Sequence, residues 1–249
     1  MLRWDRLQGA EIVVATTGSD SRGDGSWQLP FKTLTKAFDH WSAVRHTIIV
    51  MPGEYAEAAT LTWPGVSGLS LVALGPVTVS NADAAAQVLL IQPGAAATAS
   101  FTATIKGPLN LAADTQIGLK IANAAMTKKL SVILDGLSAE MDTSGDSIDI
   151  AGTVAGQGLR VYAKNINLEG LLHFTANDAG SRLRIQNAEL VGGITLAGAV
   201  AAECTLRNVQ MLTSGVTKDS AWAWSAVGCV YATDADPAVY TEFLNVYDT

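Results

Sequence analysis

The chain has 249 residues, 49% hydrophobic and only 16% charged, with a formal net charge of −7; its apolar surface is ample to offset the entropy of ordering the chain, which excludes general disorder. No block of Lys or Arg interrupts this acidic sequence, which argues against a nucleic-acid partner, and no apolar run reaches the ~18 residues of a membrane-spanning helix. Ala is abundant, Gly numbers 23 and aromatics make up 6%, the composition of many short, tightly turning, close-packed segments.

The chain opens Met-Leu-Arg-Trp-Asp-Arg-Leu-Gln, with no apolar signal-peptide core. The expectation is synthesis and assembly in a cytosol; a secreted polysaccharide-degrading enzyme would normally carry an export signal. A short strand, Ile12–Ala15, feeds a polar loop, and the stretch "TTGSDSRGDGSWQLPFKTLTKAF" runs from Thr16 to Phe38. Asp20-Ser-Arg-Gly-Asp24-Gly25 has a superficial likeness to a calcium loop. Arg22 stands where a ligand belongs, and Phe31 where the bidentate glutamate belongs. Arg22-Gly23-Asp24 is too short to specify adhesion, so the expectation here is a turn-rich connection. Leu34, Ala37, Phe38, Trp41 and Val44 then fall on one helical stripe. Pro30 precedes it, and Thr33 is its expected N-cap.

After this helix the texture changes to strands. Thr47–Met51 is followed by a Pro52-Gly53 turn. Short runs then recur at Leu69–Leu74, Val77–Val79, Val88–Ile91, Phe101–Ile105, Ile117–Ile121 and Leu130–Leu134. Many alternate apolar and polar, as strands with one buried face do. Three stretches superimpose: "LRVYAKNINLEG" from Leu159, "RLRIQNAELVGG" from Arg182 and "CTLRNVQML" from Cys204. Their asparagines, Asn165, Asn187 and Asn208, are 22 and 21 residues apart, and a fourth copy from Leu130 puts Gly136 in that place. Asn and Gly enter the left-handed backbone region cheaply. The repeat therefore reads as strand, sharp corner, strand, and a period near 22 without helices predicts a β-solenoid. Residues 47–225 leave room for roughly eight coils. Residues 1–46 form the expected N-terminal strand, loop and capping helix. Residues 226–249, with Val239, Tyr240, Phe243, Leu244, Val246 and Tyr247, form a C-terminal cap or subunit contact.

The opening "VVATTGSDSRGDGSWQLPFKTLTKAF", followed by "TIIVMPGEYAE", resembles the start of a right-handed parallel β-helix of the pectin-lyase-like family. The resemblance covers residues 11–57, and the remainder by periodicity. It implies an all-β, single-domain right-handed parallel β-helix with an N-terminal α-helical cap. That fold serves pectate lyases, other polysaccharide-cleaving enzymes, and bacteriophage tailspikes, fibres and capsid-surface proteins.

Catalysis of the family's kind needs clustered carboxylates. Here Asp114, Asp135, Glu140, Asp142, Asp146, Asp149, Glu169, Asp178 and Glu189 are scattered. The densest group, Asp142, Asp146 and Asp149, reads as a solvated loop, and His173 as structural or exposed. No catalytic, cofactor or metal residue is assigned. Four other features stand out. The asparagines could ladder from coil to coil. If Leu159, Val161, Leu183, Ile185 and Leu206 point inward, then Arg160, Lys164, Arg182, Arg184 and Arg207, with Tyr162 and Thr205, share one outer face. That is either ordinary solvated charge or a docking stripe for an acidic subunit or anionic polymer. Trp222 and Trp224 either plug the end of the stack or stack on sugars. Cys204 and Cys229 lack metal-ligand spacing and read as buried thiols or a disulfide.

The function expected is a non-enzymatic structural protein of a bacteriophage virion: a capsid decoration, fibre or spike component. It would be homotrimeric, assembled in the host cytoplasm against other virion proteins, without cofactors and without nucleic-acid or membrane contacts. The alternatives are a polysaccharide lyase or glycoside hydrolase, and a carbohydrate-binding adhesin.

Overall fold

The computed structural model describes residues 11–65, 67–81, 87–93, 100–113, 117–122, 129–141, 145–152, 158–198, 200–212, 215–231, 243–244 and 247–248. Among them the chain is all-β apart from one short helix. In chain order the elements are β1 (Glu11–Val14), α1 (Leu34–Asp39), β2 (Thr47–Val50), β3 (Gly53–Glu57), β4 (Leu61–Thr62), β5 (Ser70–Ala73), β6 (Val77–Asn81) and β7 (Leu89–Ile91). There follow β8 (Phe101–Ala113), β9 (Leu119–Ala122), β10 (Leu130–Met141), β11 (Asp146–Ala151), β12 (Leu159–Leu168), β13 (Leu171–Thr175) and β14 (Arg182–Leu190). The last are β15 (Ile194–Ala197), β16 (Glu203–Met211), β17 (Val216–Lys218), β18 (Ala223–Val227), β19 (Val230–Tyr231), β20 (Phe243–Leu244) and β21 (Tyr247–Asp248).

Successive strands pair in parallel with the strand one coil away, as a solenoid requires. A 14-stranded sheet follows the path β1-β2-β5-β8-β10-β12-β14-β16-β18-β20, and a 7-stranded sheet follows β17-β15-β13-β11-β9-β7-β4. Inward side chains stack in columns. One column runs Ala103, Val132, Val161, Leu183, Cys204 and Trp224, and its neighbour runs Ile105, Leu134, Ala163, Ile185, Leu206 and Ala226. All are buried. A buried Leu, Ile or Val returns about 1.5–3 kcal/mol, so each coil is stable only against its neighbours. Cys204 is one member of such a column. It and Cys229 are free thiols, and burial drives the Cys204 thiol far above its ordinary value.

The corner residues have the backbone their identities suggest. Asn165, Asn187 and Asn208 sit at φ 53, 53 and 51°. Gly107, Gly136 and Gly228 continue the same corner at φ 92, 87 and 63°. The long strands run straight through this bend rather than breaking there.

The period departs from a uniform 22. Phe101, Leu130 and Leu159 share one column at intervals of 29 residues, whereas Arg160, Arg182, Glu203 and Ala223 step by 22, 21 and 20. Hydrogen-bond register fixes the strands, while extra residues in a surface connection cost only about 0.6 kcal/mol per doubling of loop length.

The helix is also shorter than its stripe. Thr33 caps it, its side chain accepting from Lys36 N, and His40 closes it through a bond to Ala37 O. Leu34, Ala37 and Phe38 are buried, and Phe38 meets Trp63 edge-on at 5.7 Å. Trp41 packs partly against the core. Val44, expected on the stripe, is 72% exposed, because the chain has already turned through a Ser42–Arg45 bridge to reach β2. Residues 1–10 lie outside the described residues, as do Val239, Tyr240 and Val246. Within the expected C-terminal segment, β20 and β21 pair with β18 and β19 and so add a further rung.

Candidate functional site

The opening loop spends its carboxylates on its own backbone. Asp20 accepts from Lys32 N at 2.8 Å, Thr33 N at 3.1 Å and Thr33 Oγ1 at 2.9 Å. Asp24 accepts from Ser26 N at 2.8 Å, and Arg45 donates to the carbonyls of Glu11, Asp24 and Gly25. Both acidic side chains of the calcium-like sequence are thus engaged in closing the turn.

The tryptophans are buried, Trp222 at 2% and Trp224 at 8% exposure. Trp222 meets Phe174 edge-on at 5.2 Å and donates Nε1–H to Ala197 O. Neither indole presents a face on which a sugar could stack, because the alternation that pairs them turns them toward the core.

At the corner, Asn208 Nδ2 donates to Asn187 Oδ1 at 3.2 Å and Asn187 Nδ2 to Asn165 Oδ1 at 3.5 Å. Asn165 Nδ2 then donates to Asp135 Oδ1 at 2.8 Å. The amides link four successive coils along one outer edge.

The outer face of the large sheet carries the basic residues. Leu159, Val161, Leu183, Ile185 and Leu206 are buried, so their neighbours project outward in three rows across the coils. These are Ser131–Arg160–Arg182–Glu203, Ile133–Tyr162–Arg184–Thr205–Ser225 and Asp135–Lys164–Gln186–Arg207. Adjacent rungs are about 4.8 Å apart. The second and third rows line a shallow groove of about 540 Å³.

Across the three rows the charges differ in their partners. Lys164 pairs with Asp135 at 2.9 Å, and Arg182 with Glu203 at 2.9 Å. Burial pushes the Asp135 carboxyl up, but hydrogen bonds from Lys164 and Asn165 outweigh it and hold the group below the ordinary carboxylate range. Arg184 lies over the Tyr162 ring, 5.7 Å from its centre. Among the described residues, Arg160, Arg184 and Arg207 have no carboxylate partner, and Arg160 Nε is buried without a hydrogen bond. Sequence alternation could place the cations on one face; which of them stay unpaired depends on cross-coil register.

Register also brings together residues the sequence leaves apart. On the 7-stranded sheet, Lys120, Asp149 and His173 form one outward row, with Asp146 beside it. Asp114 and Asp142 lie outside the described residues, and Glu140, Glu169, Asp178 and Glu189 join neither this row nor the groove.

Residues 16–142, just over half of the chain, match the model of a family described as a protein of unknown function (DUF1565). Comparison with curated proteins and with solved structures returns no match.

Proposed function

The chain belongs to the DUF1565 family, and from its geometry we propose that it is a non-enzymatic docking component of a larger assembly. The observation that carries this reading is the group of guanidinium side chains, Arg160, Arg184 and Arg207, one from each of three adjacent rows, that have no carboxylate partner among the described residues, on the outer face of a chain with net charge −7. An acidic protein that gathers cations on one rigid sheet, three of them without a carboxylate partner among the described residues, presents a surface complementary to an acidic neighbour. Parallel coils hold these groups at fixed spacing, so the surface is preorganised and pays little ordering entropy on docking.

The neighbour we propose is another subunit of the assembly, including further copies of this chain in a trimer. The assembly in this reading is a bacteriophage virion, since the pectin-lyase-like β-helix that the opening motif resembles also builds phage tailspikes, fibres and capsid-surface proteins. In this picture the coils wind right-handed, in line with the strong preference of parallel β-connections. Helix α1 then covers the open end of the first coil, supported by its buried Leu34, Ala37 and Phe38. A second reading, an anionic glycan in the groove, is favoured by one observation, the half-buried Tyr162 ring beside Arg184.

The test is the triple variant R160E/R184E/R207E. Light-scattering mass and polygalacturonate binding are measured for it and for the unaltered chain. Loss of the oligomer in the variant supports subunit docking. Loss of polygalacturonate binding at unchanged mass assigns the groove to a glycan. Unchanged mass together with unchanged binding refutes both.

A further inference from the structure

On the opposite sheet, β11 begins with an irregularity. Asp146 pairs with Leu171 and Ile148 with Leu172, so Ser147 is an extra residue in the ladder. Ser147 and Ile148 are consecutive, yet both are buried. In a regular strand Asp146 and Asp149, three apart, would face opposite sides. The bulge turns both outward, the re-aiming such irregularities produce. Ser147 is fixed in the bulge, its hydroxyl accepting from Gly170 N at 2.8 Å.

One coil away, His173 lies beside both carboxylates. Its Nδ1 is 3.9 Å from Asp146 Oδ2 and 3.8 Å from Asp149 Oδ1. These gaps are too long for hydrogen bonds. One donor atom from each of the three residues can be chosen so that all lie within 4.8 Å of one another. An ion held about 2.0–2.2 Å from each donor would bring them to within ~3–4 Å of one another, so only small side-chain movements are needed. The far ring nitrogen, Nε2, is 3.3 Å from Thr175 Oγ1. With Nε2–H donated to that hydroxyl, the ring is oriented and Nδ1 turns a lone pair to the carboxylates, as ligating histidines do. Lys120 Nζ holds the other oxygen of Asp149, Oδ2, at 3.0 Å and leaves Oδ1 toward the imidazole.

We propose that Asp146, Asp149 and His173 form a binding site for a divalent transition-metal ion of the Zn²⁺ class. Two carboxylates and one imidazole are too few oxygens for Ca²⁺, which takes six to eight, but suit Zn²⁺. Three protein donors leave a coordination position open to water or a substrate oxygen. The desolvated Asp146 carboxyl, held above its ordinary range by burial, with His173 pulling it down and Asp149 pushing it up, gains a counter-charge when the ion enters. Lys120 limits the affinity by placing a competing positive charge at the rim.

Zn²⁺ titrated calorimetrically into the full chain, with Ca²⁺ as comparator, tests the site. The expected result is Zn²⁺ binding tighter than Ca²⁺, weakened on the order of tenfold or more in both D146N and H173Q. K120Q, which removes the rim charge, binds Zn²⁺ more tightly. Near-UV circular dichroism checks that each variant is folded, and H40A/H46A, which removes the other two histidines, keeps the wild-type affinity. Zn²⁺ affinity unchanged in folded H173Q, or lost in H40A/H46A, overturns the proposal. So does a chain that binds no Zn²⁺; the three groups are then an imidazole–carboxylate cluster and nothing more.

Discussion

Replacing Glu57 by Ala removes the buried carboxylate on which the start of helix α1 rests. Glu57, 2% exposed at the end of β3, accepts from Leu34 N at 2.8 Å, Thr35 N at 3.2 Å and Thr35 Oγ1 at 2.7 Å. The first amides of a helix have no partner within the helix, and Thr33 satisfies only that of Lys36. E57A leaves two amides without an acceptor where water has little access. At about 1–3 kcal/mol per unsatisfied buried group, one fully and one partly buried amide sum to about 2–4 kcal/mol. E57Q keeps one carbonyl acceptor and loses the charge that complements the helix N-terminus, for about 1–2 kcal/mol. A solenoid can open coil by coil, so a global melt could dilute the effect. Native-state hydrogen exchange at Leu34 and Thr35 reads it locally, and a 2 kcal/mol loss lowers protection there about thirtyfold. Protection in E57A within twofold of the unaltered chain would refute the reasoning. Equal losses in E57A and E57Q would show that charge, rather than acceptor count, carries the effect.

Asn187→Ala forces a Cβ-bearing residue without a local hydrogen-bonding side chain to hold φ 53°, costing about 1–2 kcal/mol, whereas Asn187→Gly loses only two exposed amide contacts. Urea denaturation should rank the unaltered chain and N187G close together and N187A below them; equal N187A and N187G would mean that the ladder amides matter more than the backbone. Asp135, whose carboxyl is held low by Lys164 and Asn165, contributes stability that is present above its unfolded value of about 3.9 and lost as pH falls through its lower folded value. The pair is partly exposed, so the contribution is at most ~1 kcal/mol. The stability gap between the unaltered chain and D135N should be constant above about pH 5 and shrink toward about pH 2; a gap that widens on acidification contradicts the sign.

The parallel stack was legible because two signals in the sequence are local. Alternation fixes which side chains enter the core, so Val161, Leu183 and Leu206 could be placed inward from their neighbours alone. An Asn at a fixed place in three alternating runs marks a left-handed corner, since few other residues accept that backbone. What stayed hidden depends on neighbours that only register supplies. Ser147 is an unremarkable residue in "GDSIDI", yet as an unpaired bulge residue it carries Asp146 to the same side as Asp149. His173, 24 residues beyond Asp149, gives no sign in sequence that it stands on the next rung. Glu57 likewise reads as an alternating strand residue, though its carboxylate serves a helix 22 residues upstream. The stripe through Val44 overran the helix because periodicity does not register the short turn, Ser42 to Arg45, that the chain needs to start β2 in register.

Register explains why one stack can carry unlike chemistry on its two sheets. Coils β12–β14–β16 place guanidinium groups on the outer face of the large sheet, while β11 and β13 place two carboxylates and an imidazole outward on the other. Each inward residue is constrained by the column above and below it, so substitution there opens a cavity or forces a clash in two neighbours. Each outward residue is constrained only by the rung on either side, through a pair contact worth about 0.2–1 kcal/mol. The faces can therefore change almost independently of the core and of each other. It follows that R160E/R184E/R207E should leave Zn²⁺ affinity essentially unchanged, and H173Q should leave oligomeric mass unchanged. Coupling between the two would mean that subunits meet across both faces, with the metal cluster inside the contact rather than open to solvent.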